Sequence, residues 1–541
     1  MNRVRLLRFT IVTVVFLAIF GATRIQNATA QNVQYVADSG FRPATNGFSF
    51  ENYGNADVQQ NLTANEMKRM FGDQVCGATG KKCVLTPPAQ EWMDETNKAM
   101  DGGHCEGMAA LSALFYKNAE NVKDFGANSV NALSLSGNAK LQSEIAYFWA
   151  TQATNPTADS TLADKTPADI VNMLIQEMKA ADKSDDLYTV GIFKRDFKDG
   201  HAITPYAVMD KGNGIFWIMV YDNNFPKDER HIEVDTQKNT WSYSSATNPS
   251  EPESLYEGDA ESKTLQLTPN KSRLDPQKCP FCSDNTSARA GILAQTVITY
   301  NQVWLVSSST DNNASILIKD ENGHRLGYDN GKLVNEIPNA QFTPLKSDNR
   351  WKASPSPIFY VPTGVAFTVT VDGDLLTTAE PVDLAVIGPS YDLAVEGIQL
   401  DPDQKDTIAF SADGKTLSYT TAGGETPTLD LGIQHQGADY DFQLEGATVE
   451  GGTITVALDY DKGQLSVKSN DAKKPVTYHL AFSRIDNDTE QNFSHDNLAL
   501  DAGDTAYVDF GKWTGTDVNI GTDKGSTGTV TSTASVSNEE K

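Results

Sequence analysis

The chain has 541 residues, 71 of them acidic and 44 basic, which leaves a formal charge of -27. An acidic surface of this kind repels nucleic acid and suits solubility in an extracellular or saline setting, so nucleic acid is not an expected partner. At this length the chain is able to bury sizeable cores and to divide into three or four domains.

Arg3, Arg5 and Arg8 precede an apolar run from Phe9 to Ala22, followed by polar residues that end in Ala28-Thr29-Ala30. This is the three-part layout of a secretory signal with a small-residue cleavage site, and the apolar run is short for a bilayer span. Residues 1–30 are therefore expected to be a signal peptide, with an uncleaved anchor as the alternative. Loss of its four arginines takes the mature chain, beginning at Gln31, to -31. No later stretch is apolar enough to cross a membrane, so a secreted or cell-surface protein is expected, with no transmembrane segment after signal removal.

Residues 31–60 read as an extended N-terminal segment, and helices follow. Thr63 with Glu66 forms a capping box, Thr86-Pro87 opens a helix through Trp92 to Met100, and Leu141 to Gln152 has the apolar content of a buried helix. Thr166-Pro167 caps a further helix in which Ile170, Met173, Leu174 and Met178 share one face. After Asp186 the pattern changes to strand-like runs, Leu187–Phe193, His201–Met209, Ile215–Tyr221, His231–Val234 and Thr240–Tyr243, separated by turn signals. Helices followed by an antiparallel sheet make an α+β domain over residues 61–243.

Five cysteines are an odd number for an exported chain. Cys76 with Cys83, and Cys279 with Cys282, most simply close local disulfides. A structural zinc site built from both pairs and a redox role for Cys279-Pro280-Phe281-Cys282 are the rival readings. Cys105 is left over. It follows Gly102-Gly103-His104 and opens a run in which Met108, Leu111, Leu114 and Phe115 recur at helical spacing. A helix start favours a thiolate through its unpaired N–H groups and dipole. The alternative is a small buried hydrophobe beginning a core helix.

His201 begins a strand after a glycine turn, and Asp222 ends the next strand, just before Asn223 and Asn224. A hairpin brings the start of one strand beside the end of its neighbour, so an imidazole and a carboxylate are expected side by side, able to stabilise a thiolate at Cys105. Each partner taken alone is equally well a capping or turn residue.

The order of Cys105 at a helix start, His201 at a strand start and Asp222 or Asn223 at the end of the next strand resembles the papain-like cysteine peptidase superfamily. The likeness covers roughly Asn61 to Tyr243. It implies acyl chemistry: Cys105 attacks an amide or ester carbonyl, His201 moves the proton and Asp222 orients His201. Water as acceptor makes a peptidase or amidase, and an amine makes a transferase. The neighbours His104 and Glu106 differ from those of papain itself, and the glutamine expected shortly before the nucleophile is absent. The backbone N–H of Cys105 is one expected oxyanion donor, with Gln90, Asn97 or His104 as candidates for the other. Asn223, Asn224, His231 and Glu106 are expected either around the site or in solvent, and an acidic Glu106 opposes thiolate formation.

Residues 244–287 read as a linker carrying the second cysteine pair, with Leu265-Gln266-Leu267 as a possible strand. Beyond it the helical period disappears. Residues 288–382 and 383–510 read as two β-sandwich-like domains, and 511–541 as a disordered tail. Acidic turns at Asp372-Gly373-Asp374, Asp459-Tyr460-Asp461 and Asp486-Asn487-Asp488 make calcium conceivable, although none completes a calcium loop, and no other cofactor is expected. Two functions follow as expectations. One is an exported cysteine peptidase-like hydrolase or acyltransferase acting on a protein or peptide. The other is a non-enzymatic protein that binds cell-surface or matrix components through its β domains, on an inactive papain-like scaffold.

Overall fold

The computed structural model describes residues 35–539 except 79–82, 181–185, 245–254, 283–297, 308–313, 349–354, 422, 436, 448, 471–474 and 487–488. The expected signal peptide lies outside the described residues, as do Asn487 and Asp488. Helices come first, then strands in several antiparallel sheets, giving a mostly β, multidomain layout.

The helical signals in the sequence act as expected. Thr63 and Glu66 form a reciprocal capping box on helix Ala64–Phe71, and Thr166 with Asp169 does the same for Pro167–Lys179. Helix Pro87–Ala99 starts with two prolines, whose missing N–H groups cost nothing in a first turn. Helix Cys105–Tyr116 is buried on every side except at Tyr116, as a helix apolar all round must be. It packs on helix Ala139–Ala150, and the approach depends on Gly107, where a Cβ would lie 2.0 Å from the Ile145 carbonyl oxygen.

The first sheet has the order Leu265–Pro269, Tyr188–Phe193, Gly200–Gly212, Ile215–Tyr221, Arg230–Asp235, Thr240–Ser244, Leu255–Asp259, with Tyr35–Asp38 paired to the far half of Gly200–Gly212. It curls so that strand Leu255–Asp259 comes back beside the end of strand Tyr188–Phe193: Arg195 pairs with Asp259 at 2.9 Å and Lys194 Nζ donates to the Leu255 carbonyl at 2.7 Å. Ile170, Val171 and Leu174 of helix Pro167–Lys179 fill the concave side against Val190, Ile203, Ile218 and Val234. Pro205, which lacks an N–H for a ladder, sits at a register shift between Pro205 and Ala207.

Three expectations need correction. The segment expected to be a linker supplies two strands of this sheet, because Tyr256, Leu265 and Leu267 are buried in its core. The boundary expected at 382/383 falls inside strand Glu380–Gly388. From Tyr300 onward a nine-stranded and an eleven-stranded sheet face each other over one apolar cluster that extends from Val303 to Ile520. Pairs such as Phe367–Asp372 with Lys405–Phe410 cross that boundary. The expected disordered tail carries strands Val518–Asp523 and Ser532–Val536, anchored by buried Phe510, Trp513 and Val518.

Both expected disulfides are present, Cys76–Cys83 and Cys279–Cys282. The second holds Phe281 in the helical core, with ring centroids 5.5 Å from Phe71 and 5.8 Å from Trp92, so this Cys-Pro-Phe-Cys loop acts as a packing clip. Trp92 also reaches the β slab, its Nε1–H donating to Gln302 Oε1 at 3.3 Å. No helix among the described residues is long and apolar enough to cross a membrane.

Candidate active site

Gly103 has φ +151°, a conformation that favours glycine, and it turns the chain into helix Cys105–Tyr116. Cys105 is the free cysteine among the described residues. Beside it, Ala109 on the helix and Ala202 on strand Gly200–Gly212 form a small-residue contact that lets helix and strand approach closely. Thr204 Oγ1 donates to the Ala109 carbonyl at 3.0 Å and ties the two elements together.

This approach brings the expected triad together. The Cys105 thiol and the His201 imidazole lie close enough to act on each other's charge, and His201 Nε2 lies 2.9 Å from Asp222 Oδ1. Asp222 is held in turn by the Tyr243 hydroxyl and by the Asn224 N–H at 2.8 Å. Asn223 Nδ2 donates to the carbonyls of Cys105 at 3.1 Å and Ala202 at 3.0 Å, bridging the elements that carry sulfur and imidazole. Cys105 and His201 are 0 % exposed and Asp222 1 %.

The electrostatics follow from this burial. Loss of water pushes the Cys105 thiol up, against the opposing pull of the His201 charge. Burial lowers His201, but Asp222 and Cys105 outweigh it and hold the imidazole well above its ordinary value. Burial raises Asp222, and His201 outweighs it, keeping the carboxyl below its ordinary value. These directions favour charge on the imidazole and on Asp222 and disfavour it on the Cys105 sulfur.

The expected second oxyanion donors point elsewhere. The Asn97 amide pairs with the backbone of Leu62, its Oδ1 accepting at 3.0 Å and its Nδ2 donating at 3.1 Å. Gln90 donates to Asp94 at 2.7 Å. The His104 ring stacks on Tyr53 with centroids 4.2 Å apart, and its nitrogens face Tyr53 O at 2.8 Å and Asn61 Oδ1 at 2.9 Å. Burial pushes His104 down to about 4, so the ring is a neutral packing element. His231 is stacked on Trp217 at 3.8 Å.

Asn52, in the segment before residue 61, does reach the surroundings of His201. Asn52 Oδ1 accepts the N–H groups of Tyr53 at 3.0 Å and His104 at 2.8 Å, which fixes the amide. Its Nδ2 then faces Asn224 Oδ1 and the Asp348 carbonyl, each at 3.0 Å. That same Asp348 carbonyl oxygen lies 3.2 Å from His201 Nδ1. A lone asparagine in a loop carries no sequence signal for such a role.

Glu106 is compensated. Arg273 pairs with it in full burial, and Lys346 Nζ stands 3.2 Å from the same oxygen. Burial alone would raise the Glu106 carboxyl, but the two cations hold it below its ordinary value.

As for metal ligation, Glu95, Asp383 and Glu396 bring carboxylate oxygens within 4.8 Å of one another, and Lys98 Nζ sits among them at 2.9, 3.1 and 2.9 Å as their counter-charge. Of the acidic turns considered for calcium, Asp372 and Asp374 clamp Lys405 at 2.7 and 2.5 Å, and Asp459 pairs with Lys462 at 2.7 Å. Comparison with protein-family models, with curated proteins and with solved structures finds no match to this chain.

Proposed function

We propose that the chain is an exported cysteine peptidase-like hydrolase or acyltransferase of papain-like type, acting on amide bonds of a protein or peptide through Cys105, His201 and Asp222. The observation that carries this reading is the continuous chain of sulfur, imidazole and carboxylate, with the fixed amide of Asn52 aimed at a carbonyl beside it. In the reaction the Cys105 thiol gives its proton to His201 and the sulfur forms a bond to the carbonyl carbon while the carbonyl electron pair moves onto oxygen, towards Asn52 Nδ2. The C–N bond then breaks as His201 gives its proton to the leaving amine. Water, or an amine in a transferase, loses a proton to His201 and attacks the thioester, and the sulfur leaves as thiolate. The two disulfides fit an oxidising compartment and hence export.

A second reading, an inert papain-like scaffold serving a binding protein, draws on the complete burial of Cys105. Iodoacetamide labelling read by mass spectrometry separates the two. Burial slows wild type and His201→Ala alike, so their ratio is the measure. An activated thiol reacts at least tenfold faster in wild type near pH 7, whereas equal rates refute the enzymatic reading.

A further inference from the structure

The Cys105 crevice is filled by this chain itself. Lys346, Ser347 and Asp348 come from the β region, are 4 %, 0 % and 4 % exposed, and lie beside Glu106, Gly103 and His201. Lysine is almost never buried without a partner, and here the side chains and N–H groups of the segment are matched. The Lys346 ammonium meets Glu106 at 3.2 Å, and its backbone N–H donates to Gln152 Oε1 at 2.8 Å. The Ser347 hydroxyl reaches the Ala99 and Gly103 carbonyls, both at 2.9 Å. The Tyr256 hydroxyl donates to the Asp348 carboxylate. The N–H groups of Ser347 and Asp348 both donate to the Gly200 carbonyl, at 3.0 and 2.9 Å, next to His201.

The Asp348 carbonyl is the most telling group. It accepts from Asn52 Nδ2 at 3.0 Å and lies 3.2 Å from Nδ1 of His201, the imidazole whose charge also acts on the Cys105 thiol. A carbonyl about to be attacked by Cys105 needs this environment: a fixed N–H donor at its oxygen and the imidazole alongside. A segment that only filled space would be less costly if apolar, because each buried polar group must find a partner or lose free energy.

We propose that Lys346-Ser347-Asp348 is an internal occupant of the acyl-side substrate subsites. Asn52 is the side-chain oxyanion donor, and the peptides taken by this site carry an acidic residue at the carbonyl to be attacked and a basic residue two positions before it. The acidic side chain is read by Tyr256, the basic one by Glu106. While the segment is seated, Cys105 is closed to other substrates. The inference rests on the acyl-transfer reading for its chemistry, but its test does not require turnover.

The test is alkylation of Cys105 in the full chain. Ser347→Trp is too large for the space under Ala99 and Gly103 and displaces the segment; Lys346→Ala/Asp348→Ala removes both side-chain anchors without adding bulk. Circular dichroism identifies a variant that has failed to fold. Each folded variant is expected to react with iodoacetamide at least tenfold faster than wild type. In the opened chain, acetyl-Lys-Ser-Asp-amide should protect Cys105 at a concentration at least fivefold lower than acetyl-Lys-Ser-Ala-amide or acetyl-Ala-Ser-Asp-amide. Tyr256→Phe should cut the aspartate preference at least threefold. Wild type reacting as fast as both opened variants overturns the occupancy, and equal protection by the three peptides overturns the specificity. An opened Cys105 that is protected in the expected order but is indifferent to His201→Ala sinks the acyl-transfer reading alone.

Discussion

Arg273→Met tests the claim that Glu106 is tolerated beside Cys105 only because it is neutralised. The guanidinium is fully buried, and besides Glu106 it donates to Asn270 Oδ1 at 2.9 Å, to Thr151 Oγ1 at 2.7 Å and to the Phe148 carbonyl at 3.3 Å. Methionine nearly matches the length of its stem and leaves most of these partners satisfied. Thr151 still donates to Phe148 at 2.7 Å, and Asn270 Oδ1 still accepts from Thr189 at 2.9 Å. The loss therefore concentrates on Glu106, which keeps only Lys346. Removing one member of a buried ion pair costs about 3–5 kcal/mol, and the remaining lysine places this case near the lower end. For a unit of this size about 3 kcal/mol lowers the melting midpoint by roughly 6–12 °C, measured by calorimetry at pH 7. Glu106→Gln added to Arg273→Met should recover at least about 1 kcal/mol, since the carboxylate is what has been stranded. A midpoint within about 2 °C of wild type, or a double variant no more stable than Arg273→Met, refutes the reasoning.

Other substitutions probe the surroundings. Asp222→Ala strands the His201 Nε2–H, the Tyr243 hydroxyl and the Asn224 N–H, and should destabilise by about 2–4 kcal/mol in urea titration while bringing Cys105 alkylation down to the His201→Ala rate. Gly107→Ala drives a methyl into the Ile145 carbonyl and should cost about 1–3 kcal/mol, read by the same titration, with Gly72→Ala, at a position of positive φ but open space, as the contrasting control. Where helix Pro87–Ala99 meets the nine-stranded sheet, burial pushes Glu95 up to about 7 and Asp441 up to about 6, and raises Glu91, Asp392 and Asp430 well above their ordinary values. Acids raised on folding favour the folded state in their protonated form, so this stability is full below pH 4 and is lost as pH rises towards 7 and beyond. The melting midpoint should fall between pH 5 and pH 8, and Asp430→Asn should flatten that fall; an unchanged slope in the variant would count against this cluster as the cause.

The elements that carry the triad were legible because their signals are local. A glycine turn before an apolar helical run placed Cys105, and two strands separated by a tight turn placed His201 and Asp222 within one hairpin of each other. The capping boxes and close cysteine pairs are local in the same sense. Asn52, Tyr256, Arg273 and Lys346 were not legible as partners of the site. Asn52 meets the Asp348 carbonyl across 296 positions, and nothing near either residue specifies the meeting. Strand periodicity likewise marks where strands lie but not which ones pair. Phe367–Asp372 pairs with Lys405–Phe410 after the chain has made a hairpin in the opposite sheet, and two expected domains thereby become one slab.

The contacts that seat Lys346-Ser347-Asp348 are separate from those that fix the β slab to the helical half. Trp92 with Gln302, and Lys98 with Glu95, Asp383 and Glu396, bind helix Pro87–Ala99 to the nine-stranded sheet without touching the crevice. Phe281, clipped by its disulfide, packs on Phe71 and Trp92, and its carbonyl accepts from the Ser390 N–H of the slab at 3.0 Å. The segment is held by hydrogen bonds and one buried ion pair, whereas the slab also meets the helical half through buried apolar side chains such as Trp304, Ile358 and Ile387. If the segment is released while these apolar contacts hold, the crevice opens with the architecture that sets sulfur against imidazole still in place. A chain lacking the slab would lose the occupant and the packing of helix Pro87–Ala99 together, which is why point substitutions at Ser347, Lys346 and Asp348, and not truncation, isolate the role of the segment.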